Sequence, residues 1–251
     1  MIKNNASCVA LGNFDGIHIG HDILIKRMIE KSHETNQDSI IITFKYVKKD
    51  LKKSSFNIRY INNTKKKIDM LKSYGVTNVV EIELDEVISK YSPEQFIKEI
   101  LIGRFNAKNI VVGYNFTFGY KAMGNIKTLK KFEDIYGYRV EEIYPVKYNG
   151  IAVSSTLVRN LIREGKIREG NTLLINDYTI YSEDIIINNN KKVGFVNNNS
   201  SIVVPIEGKY KVRIGEDEAI ATIITNKEGS VFTFNKEINA SKDIIFLDKI
   251  I

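Results

Sequence analysis

The sequence has no apolar run long enough to cross a membrane and contains only one cysteine. No stretch approaches the ~18 consecutive apolar residues of a membrane span, and the first residues lack the basic-then-apolar pattern of a secretory signal. We therefore expect a cytoplasmic protein that does not contact membranes. Cys8 cannot form a disulfide within the chain, and its apolar neighbours Val9, Ala10 and Leu11 predict a small core residue rather than a reactive thiol.

The charge balance is basic but does not select one class of partner. The chain of 251 residues is 43% hydrophobic and 27% charged, as in ordinary globular proteins, and its net charge is +7. Its length allows one large domain or two unequal ones. Much of the positive excess lies in two groups, Lys45, Lys48, Lys49, Lys52, Lys53 and Lys65, Lys66, Lys67. Such runs are typical of solvated faces, although a positive field would also attract polyphosphates or nucleic acid.

Apolar runs alternate with helical patterns through the first two thirds of the chain. Extended runs are expected at residues 7–11, 39–44, 76–82, 109–113 and 139–144, and helices at about 23–29, 63–74, 92–102 and 128–136. Ser92, Pro93 and Gln95 form a capping-box start for the third of these helices. This alternation predicts an α/β fold with a doubly wound, mostly parallel sheet.

The pattern changes after about residue 170. Short β-rich runs at residues 185–187, 201–205, 210–214, 219–225, 230–234 and 243–247 are separated by turn residues, which predicts a small antiparallel barrel or sandwich. One helix at about 156–174, weakened by Gly165 and Gly170, would join the two parts. We therefore expect domains at residues 1–175 and 176–251.

The strongest functional motif lies where the first strand meets the first helix. It reads Gly12-Asn13-Phe14-Asp15-Gly16-Ile17-His18-Ile19-Gly20-His21. Its three glycines permit tight turns and close approach of a substrate, and the helix start offers free N–H groups to phosphate. His18 and His21 are expected to share one face and to stabilise a charge-rich transition state. The alternative is a glycine-rich turn with two incidental histidines, and we expect His33 to be a solvated or capping residue.

Two later segments carry further polar groups. Asn115 follows a strand and is flanked by Phe116 and Phe118, which could pack on an aromatic ligand or equally be core residues. Hydroxyls of Ser154, Ser155 and Thr156 precede Arg159 by one helical turn. Hydroxyls, a helix N-terminus and a guanidinium group form a phosphate clamp, whereas the alternative is a plain N-cap with a surface arginine.

Together these segments resemble bacterial FAD synthetases of the bifunctional riboflavin kinase/FAD synthetase family, within the His-x-Gly-His nucleotidylyltransferase superfamily. The Gly-Asn-Phe-Asp-Gly lead-in at residues 12–16 is similar to that family, as are Val112-Gly113-Tyr114-Asn115-Phe116-Thr117-Phe118-Gly119 and Ser154-Ser155-Thr156-Leu157-Val158-Arg159. The resemblance covers about residues 6–175. It implies a Rossmann-like nucleotidylyltransferase domain that transfers AMP from ATP to FMN.

The resemblance also implies roles for individual residues. His18, His21 and Arg159 would be catalytic, and ATP would be bound by Gly12, Asn13, Phe14, Asp15, Gly16, Gly20, Ser154, Ser155 and Thr156. Asn115, Phe116 and Phe118 would bind FMN. Mg²⁺ would accompany ATP, bound through phosphates and water without a dedicated protein metal site. Asp15 is an indirect partner of the phosphates or a turn cap.

The sequence departs from the family pattern in two places. The family's Pro-His pair after the second strand is replaced by Lys45-Tyr46-Val47. The kinase segment Gly-Phe-Pro-Thr-Ala-Asn has its nearest match in Gly194-Phe195-Val196-Asn197-Asn198-Asn199, and the chain ends at Ile251 before the expected glutamate region. We therefore expect a degenerate kinase-like β domain without riboflavin kinase activity.

Three other functions stay open at this point. The chain could be fully bifunctional, or it could be a nucleotidylyltransferase that uses another phosphate acceptor. It could also be a non-catalytic nucleic-acid-binding protein that uses its basic surface, although we expect none of its partners to be a nucleic acid. The oligomeric state is not predicted.

Overall fold

The computed structural model describes residues 5–46, 59–198 and 200–250. Its contacts group these residues into two compact units, one of residues 5–14, 20–46 and 68–152, and one of residues 15–19, 59–67 and 153–250. The predicted domain division after residue 175 stays a prediction. In the described ranges, no helix combines the length and apolarity needed to span a bilayer.

The first unit contains a five-stranded parallel sheet. Its strands are β1 (Ser7–Leu11), β2 (Asp38–Tyr46), β3 (Asn78–Leu84), β4 (Ala107–Gly113) and β5 (Arg139–Ile143), in the order β3-β2-β1-β4-β5. The order reverses at β1, as in a doubly wound fold, and both faces of β1 are buried. The carboxyl ends of β1 and β4 therefore border the position where such sheets bind ligands.

Helices alternate with these strands along the chain. They are α1 (Ile19–Glu34), α2 (Thr64–Lys72), α3 (Pro93–Gln95) continuing as a π-helix (Phe96–Ile102), α4 (Ile126–Lys131) and α5 (Glu133–Tyr136), with a short hairpin of β6 (Lys147–Tyr148) and β7 (Ile151–Ala152) and 3₁₀ turns at Ile88–Lys90 and Tyr120–Ala122. The predicted capping box is confirmed, since Ser92 accepts from the Gln95 N–H and Gln95 accepts from the Ser92 N–H. The predicted helix at 128–136 is divided at Phe132.

The second unit contains α6 (Ser155–Arg163), α7 (Ile167–Leu173) and a seven-stranded antiparallel sheet. The strands are β8 (Thr179–Ile180), β9 (Ile186–Ile187), β10 (Val193–Asn197), β11 (Gly208–Ile214), β12 (Asp217–Thr225), β13 (Gly229–Phe234) and β14 (Ile244–Ile250), in the order β8-β14-β11-β12-β13-β10-β9. Buried and exposed residues alternate along β11 and β12, so one face covers a core that includes Tyr178, Tyr210, Phe232 and Phe246. The predicted fold class is confirmed.

Two local predictions were wrong, and strand β10 was not predicted. The single helix at 156–174 is two helices because Gly165 has φ +76°, and a Cβ there would lie 2.8 Å from the Tyr210 hydroxyl oxygen. The run 201–205 forms no strand; only Ile202 makes a bridge, to Tyr60. Strand β10 was missed because its glycine, Gly194, weakens the β pattern that the sequence shows there.

The predicted solvated lysine faces are only partly tested. Lys65 lies 3.5 Å from Glu183 and Lys66 lies 3.4 Å from Asp243, so part of the basic run is paired with carboxylates. Lys67 is buried, contrary to the interpretation of this run as solvated. Residues Val47, Lys48, Lys49, Lys52, Lys53 and Asn199, on which other expectations fell, lie outside the described residues.

Candidate active site

The glycine-rich segment begins directly at the end of β1. The Gly12 N–H donates to the carbonyl oxygen of Ile42 at 3.2 Å, which holds the segment to β2. Phe14 has φ +50° and is fully buried, and its ring comes so close that a Cβ on Gly12 would lie 3.1 Å from it. Asn13 remains exposed, while its carbonyl oxygen accepts from the Thr43 hydroxyl at 3.2 Å. The chain after β1 is therefore folded tightly against the neighbouring strand.

The second histidine of the motif lies on the first turn of α1, one residue after Gly20. Its ring packs edge-on against the buried Phe14 ring, with centroids 5.1 Å apart and an interplanar angle of 61°. This contact restricts the orientation of the His21 imidazole, because Phe14 is itself fixed in the core. The motif phenylalanine thus supports a histidine and is inaccessible to ligand.

The first histidine, His18, immediately precedes α1 and is 5% exposed. Its backbone pairs with Leu174, and the neighbouring Ile17 carbonyl oxygen accepts from the Ile175 N–H at 2.9 Å. Burial lowers the pKa of His18 to about 4, so its imidazole is neutral at pH 7. A neutral imidazole donates one hydrogen bond and contributes no full charge.

Asp15 connects the glycine-rich segment to α6. One carboxylate oxygen, Oδ2, accepts from Arg159 Nη2 at 2.7 Å; the other, Oδ1, accepts from the N–H groups of Ile61 at 2.8 Å and Asn62 at 3.4 Å. The Asp15 carbonyl oxygen also accepts from the Ser155 hydroxyl at 2.8 Å. Residues separated by 46 to 144 positions in sequence thus converge on one aspartate.

The ion pair between Asp15 and Arg159 is largely removed from water. The aspartate side chain is 5% exposed and the arginine side chain 15% exposed. Within the described residues, Arg159 Nε is buried without a hydrogen-bond partner. Arg159 is therefore a mostly buried, oriented cation and not the surface arginine of the alternative interpretation.

The hydroxyl residues before Arg159 have different positions. Ser154 is the N-cap of α6, because its side chain accepts from the Leu157 N–H at 3.2 Å. Ser155 begins the helix and donates to Asp15, whereas Thr156 is exposed. The N-cap of the alternative interpretation is thus present, and the helix N-terminus also retains N–H groups that can bind phosphate.

Gly16 is the one motif glycine whose conformation requires glycine. Its φ is +55°, and a Cβ would lie 2.5 Å from Ile61 Cδ1 and 2.8 Å from Ile61 Cγ2. The backbone of the motif therefore passes directly against residue 61, next to the N–H groups that bind Asp15.

The proposed flavin-binding residues lie after β4 in the first unit. Asn115 is exposed, and Phe116 stacks on Phe118 with centroids 5.7 Å apart and an interplanar angle of 12°. Phe118 is 6% exposed and packs on Phe96 in the core of the sheet. Asn115 and Phe116 thus have surface available for a ligand, whereas Phe118 lies on the core side of Phe116 and packs against it.

Two further residue predictions can be placed. Cys8 is confirmed as a core residue, and burial raises the pKa of its thiol to about 12. His33 is exposed near the end of α1, as predicted. Across the described part of the chain, no group of three or more His, Cys, Asp or Glu side chains is arranged to hold a metal ion.

Comparison with known proteins identifies the family. A family model described as FAD synthetase matches residues 1–157, which is more than half of the chain. The chain belongs to the FAD synthetase family. The predicted family and nucleotidyltransferase class are therefore confirmed.

Several curated relatives resemble this FAD synthetase family member. The bifunctional riboflavin kinase/FMN adenylyltransferase of Buchnera aphidicola subsp. Schizaphis graminum (strain Sg) is 33% identical over 218 residues, covering 84% of this chain and 69% of the relative. For the protein of that name in Buchnera aphidicola subsp. Acyrthosiphon pisum (strain APS), identity is 32% over 189 residues, and the match covers 75% of this chain but only 59% of the relative. The FAD synthetase of Listeria monocytogenes serovar 1/2a (strain ATCC BAA-679 / EGD-e) is 25% identical over 224 residues, covering 89% and 86%.

A solved structure shares the fold of this FAD synthetase family member. The crystal structure described as a macrolide-efflux protein from Streptococcus pneumoniae aligns with a TM-score of 0.78 and 22% identity, covering 98% of this chain and 86% of the other. At this identity the likeness concerns the fold alone.

Proposed function

We propose that this chain is an FMN adenylyltransferase that transfers the AMP group of ATP to FMN, forming FAD and pyrophosphate. A phosphate oxygen of FMN attacks the α-phosphorus of ATP in line, and the bond from the α-phosphorus to the β-phosphate oxygen breaks. Pyrophosphate leaves with that electron pair, and no covalent enzyme intermediate is needed. The observation that carries this proposal is the Asp15–Arg159 ion pair, which joins two of the three family segments in one unit.

The geometry supports specific roles for the residues on the ATP side. Arg159 and the N-terminal N–H groups of α6, with Ser155 and Thr156, hold the β- and γ-phosphates. His18 and His21 stabilise the charge that develops at the α-phosphate, and His18 does so as a neutral donor. Asp15 orients Arg159 and Ser155 and does not itself touch phosphate.

The remaining ATP contacts are made by the backbone of the glycine-rich segment. Gly12, Asn13 and Gly20 leave the backbone accessible, whereas Gly16 is buried against Ile61 and Phe14 acts through His21. Mg²⁺ enters as part of MgATP and is bound by phosphate oxygens and water. Transfer is then accelerated by positioning and charge neutralisation.

On the acceptor side, Asn115 donates to or accepts from FMN, and Phe116 packs on the flavin ring with Phe118 behind it. We place the reaction in the cytoplasm, as expected from the sequence. The riboflavin kinase activity is proposed to be lost, because Val196 and Asn197 stand where the kinase segment has its proline and threonine.

The decisive experiment incubates the purified chain with FMN and MgATP and separates the flavins by chromatography. We expect FAD to form with wild type and with His33→Ala, which removes the exposed third histidine from the same helix. The double variant His18→Ala/His21→Ala should form FAD at least about a hundredfold more slowly, because two transition-state donors are lost. Equal rates in the double variant and His33→Ala would contradict the proposal.

Two control incubations separate the alternative enzymes. Riboflavin with MgATP should give no FMN, and any FMN formed would show a working kinase. Replacement of FMN by other phosphate-bearing acceptors should give no AMP transfer, whereas faster transfer to one of them would reassign the acceptor.

A further inference from the structure

The carboxylate of Asp15 is held by the backbone of residues 61 and 62. Asp15 Oδ1 accepts from the N–H groups of Ile61 at 2.8 Å and Asn62 at 3.4 Å, while Oδ2 accepts from Arg159. A shift of residues 61 and 62 would therefore move the carboxylate that orients the guanidinium group. The position of Arg159 thus depends on what fixes these two residues.

The side chain of Asn62 joins this backbone to the part of the second unit that forms the antiparallel sheet. Its Nδ2 donates to the Tyr181 hydroxyl oxygen at 3.0 Å. Within the described part of the chain, Asn62 Oδ1 is buried without a hydrogen-bond partner, so the side chain is held by Tyr181. Asn62 therefore contacts Asp15 through its backbone and Tyr181 through its side chain, and all three residues belong to the second unit.

Tyr181 has a fixed position at the end of two paired strands. It directly follows β8 and Asp243 directly precedes β14, next to the paired residues Ile180 and Ile244. The Asp243 carboxylate accepts from the Ser182 N–H at 2.9 Å, which fixes the chain beside the tyrosine. Burial raises the pKa of Tyr181 to about 12, so its hydroxyl is neutral at pH 7.

Two flanking contacts join the same chain segments without using the tyrosine hydroxyl. Lys66 Nζ lies 4.7 Å from the centroid of the Tyr181 ring and 3.4 Å from Asp243 Oδ2. Asn63 Nδ2 donates to Glu183 Oε1 at 2.8 Å. Because these contacts do not depend on the hydroxyl, Tyr181→Phe removes one hydrogen bond from an otherwise intact junction.

We propose that Tyr181 is a positioning residue for adenylyl transfer, which acts through Asn62 and Asp15 on Arg159. The distance of 3.4 Å from the Asn62 N–H to Asp15 Oδ1 is long for a hydrogen bond, so a small rotation of Asn62 breaks it. The Tyr181 hydroxyl prevents that rotation by holding the Asn62 amide. This inference rests on the proposed role of Arg159 in binding the β- and γ-phosphates, and it gives the antiparallel sheet a part in the transferase.

The test is isothermal titration calorimetry of MgATP in the absence of FMN. Tyr181→Phe should weaken MgATP binding about tenfold, because a hydrogen bond that fixes the Asp15–Arg159 pair is lost. In steady-state FAD formation the KM for MgATP should rise by a similar factor, whereas kcat and the KM for FMN should stay within about threefold of wild type. MgATP binding by Tyr181→Phe that equals wild type would overturn the proposal.

Tyr138→Phe is the matched control. Tyr138 is fully buried in the first unit, and its hydroxyl donates to the Leu129 carbonyl oxygen at 2.6 Å. Loss of this hydroxyl should lower the melting temperature at least as much as Tyr181→Phe does, while MgATP affinity stays within about twofold of wild type. If both variants weaken MgATP binding equally, the effect follows from lost stability and the positioning role is overturned.

Two combined variants test the route through Asn62 and Asp15. Asn62→Ala removes the same hydrogen bond, so Asn62→Ala/Tyr181→Phe should bind MgATP within about twofold of either single variant. In an Asp15→Asn background, Tyr181→Phe should weaken MgATP binding by less than about twofold, because Arg159 has already lost its partner. Additive losses in either combination would overturn this route.

The two proposals can fail separately. If wild type forms no FAD from FMN and MgATP, but MgATP binding depends on Tyr181 as expected, the proposed acceptor reaction is refuted and the role of Tyr181 in nucleotide binding stands. If wild type forms FAD and Tyr181→Phe binds MgATP like wild type, only the inference about Tyr181 fails. Absence of MgATP binding by wild type would overturn both.

Discussion

The buried pair between Asp15 and Arg159 allows a quantitative prediction for Asp15→Asn. The asparagine Oδ1 can still accept from the N–H groups of Ile61 and Asn62, so the loop keeps those bonds. Its amide nitrogen, however, would face Arg159 Nη2, which now lies 2.7 Å from Asp15 Oδ2. Two donors would then point at each other, and the buried guanidinium would lose its counter-charge.

The expected cost follows from the burial of both partners. Removal of one member of a buried ion pair costs about 3–5 kcal/mol, and the remaining backbone bonds place this variant at the lower end, about 3 kcal/mol. For a chain of this size, about 2–4 °C of melting temperature corresponds to each kcal/mol, so we expect a loss of roughly 6–12 °C. Because Arg159 would also be misplaced, kcat/KM for ATP should fall at least about tenfold.

Calorimetry and steady-state kinetics measure the two effects, with Asp134→Asn as a matched control. Asp134 pairs with Arg139 at 2.9 Å, but the side chains are 90% and 66% exposed. An exposed pair contributes about 0–1 kcal/mol, so this control should melt within a few degrees of wild type. If Asp15→Asn melts like Asp134→Asn and keeps wild-type kcat/KM, the reasoning from burial is refuted.

Three further predictions concern the same site. Gly16→Ala should lower the free energy of unfolding, measured in urea, by about 2–4 kcal/mol, because it combines a positive φ with a clash on Ile61. The control Gly137→Ala, at φ +66° with nothing within 4 Å, should lower it by only about 1–2 kcal/mol. Equal losses in the two variants would argue against the clash. NMR should show His18 titrating near pH 4. Because the pKa of His18 is lower in the folded than in the unfolded state, the stability of the protein should fall as the pH drops from about 6.5 towards 4. A titration midpoint near pH 6.5 would contradict the burial of His18. Ser154→Ala should lower the free energy of unfolding by about 1 kcal/mol in the same assay, because it removes the N-cap oxygen. Ser154→Thr, which keeps a hydroxyl, should lower it much less, and equal losses would exclude the capping role.

The sequence by itself determined the fold class, the family and most of the candidate residues. A buried parallel strand such as residues 39–44 is a continuous apolar run in the sequence, and the capping box at Ser92 is a pattern of neighbouring residues. Both can therefore be predicted without knowledge of the tertiary structure. Element boundaries were predicted less accurately. Gly165 ended a helix that the apolar pattern continued, because its φ is +76° and a Cβ there would lie 2.8 Å from the Tyr210 hydroxyl oxygen.

Only the tertiary structure decided how the candidate site residues are held in place. That Phe14 supports His21, that His18 is neutral, and that Asp15 holds Arg159 all depend on burial and on partners distant along the chain. A carboxylate recognises N–H groups by geometry and not by side-chain type, so the backbone donors of Ile61 and Asn62 leave no signal in the sequence. Local patterns record which residues are available, whereas long-range contacts set their charge and orientation.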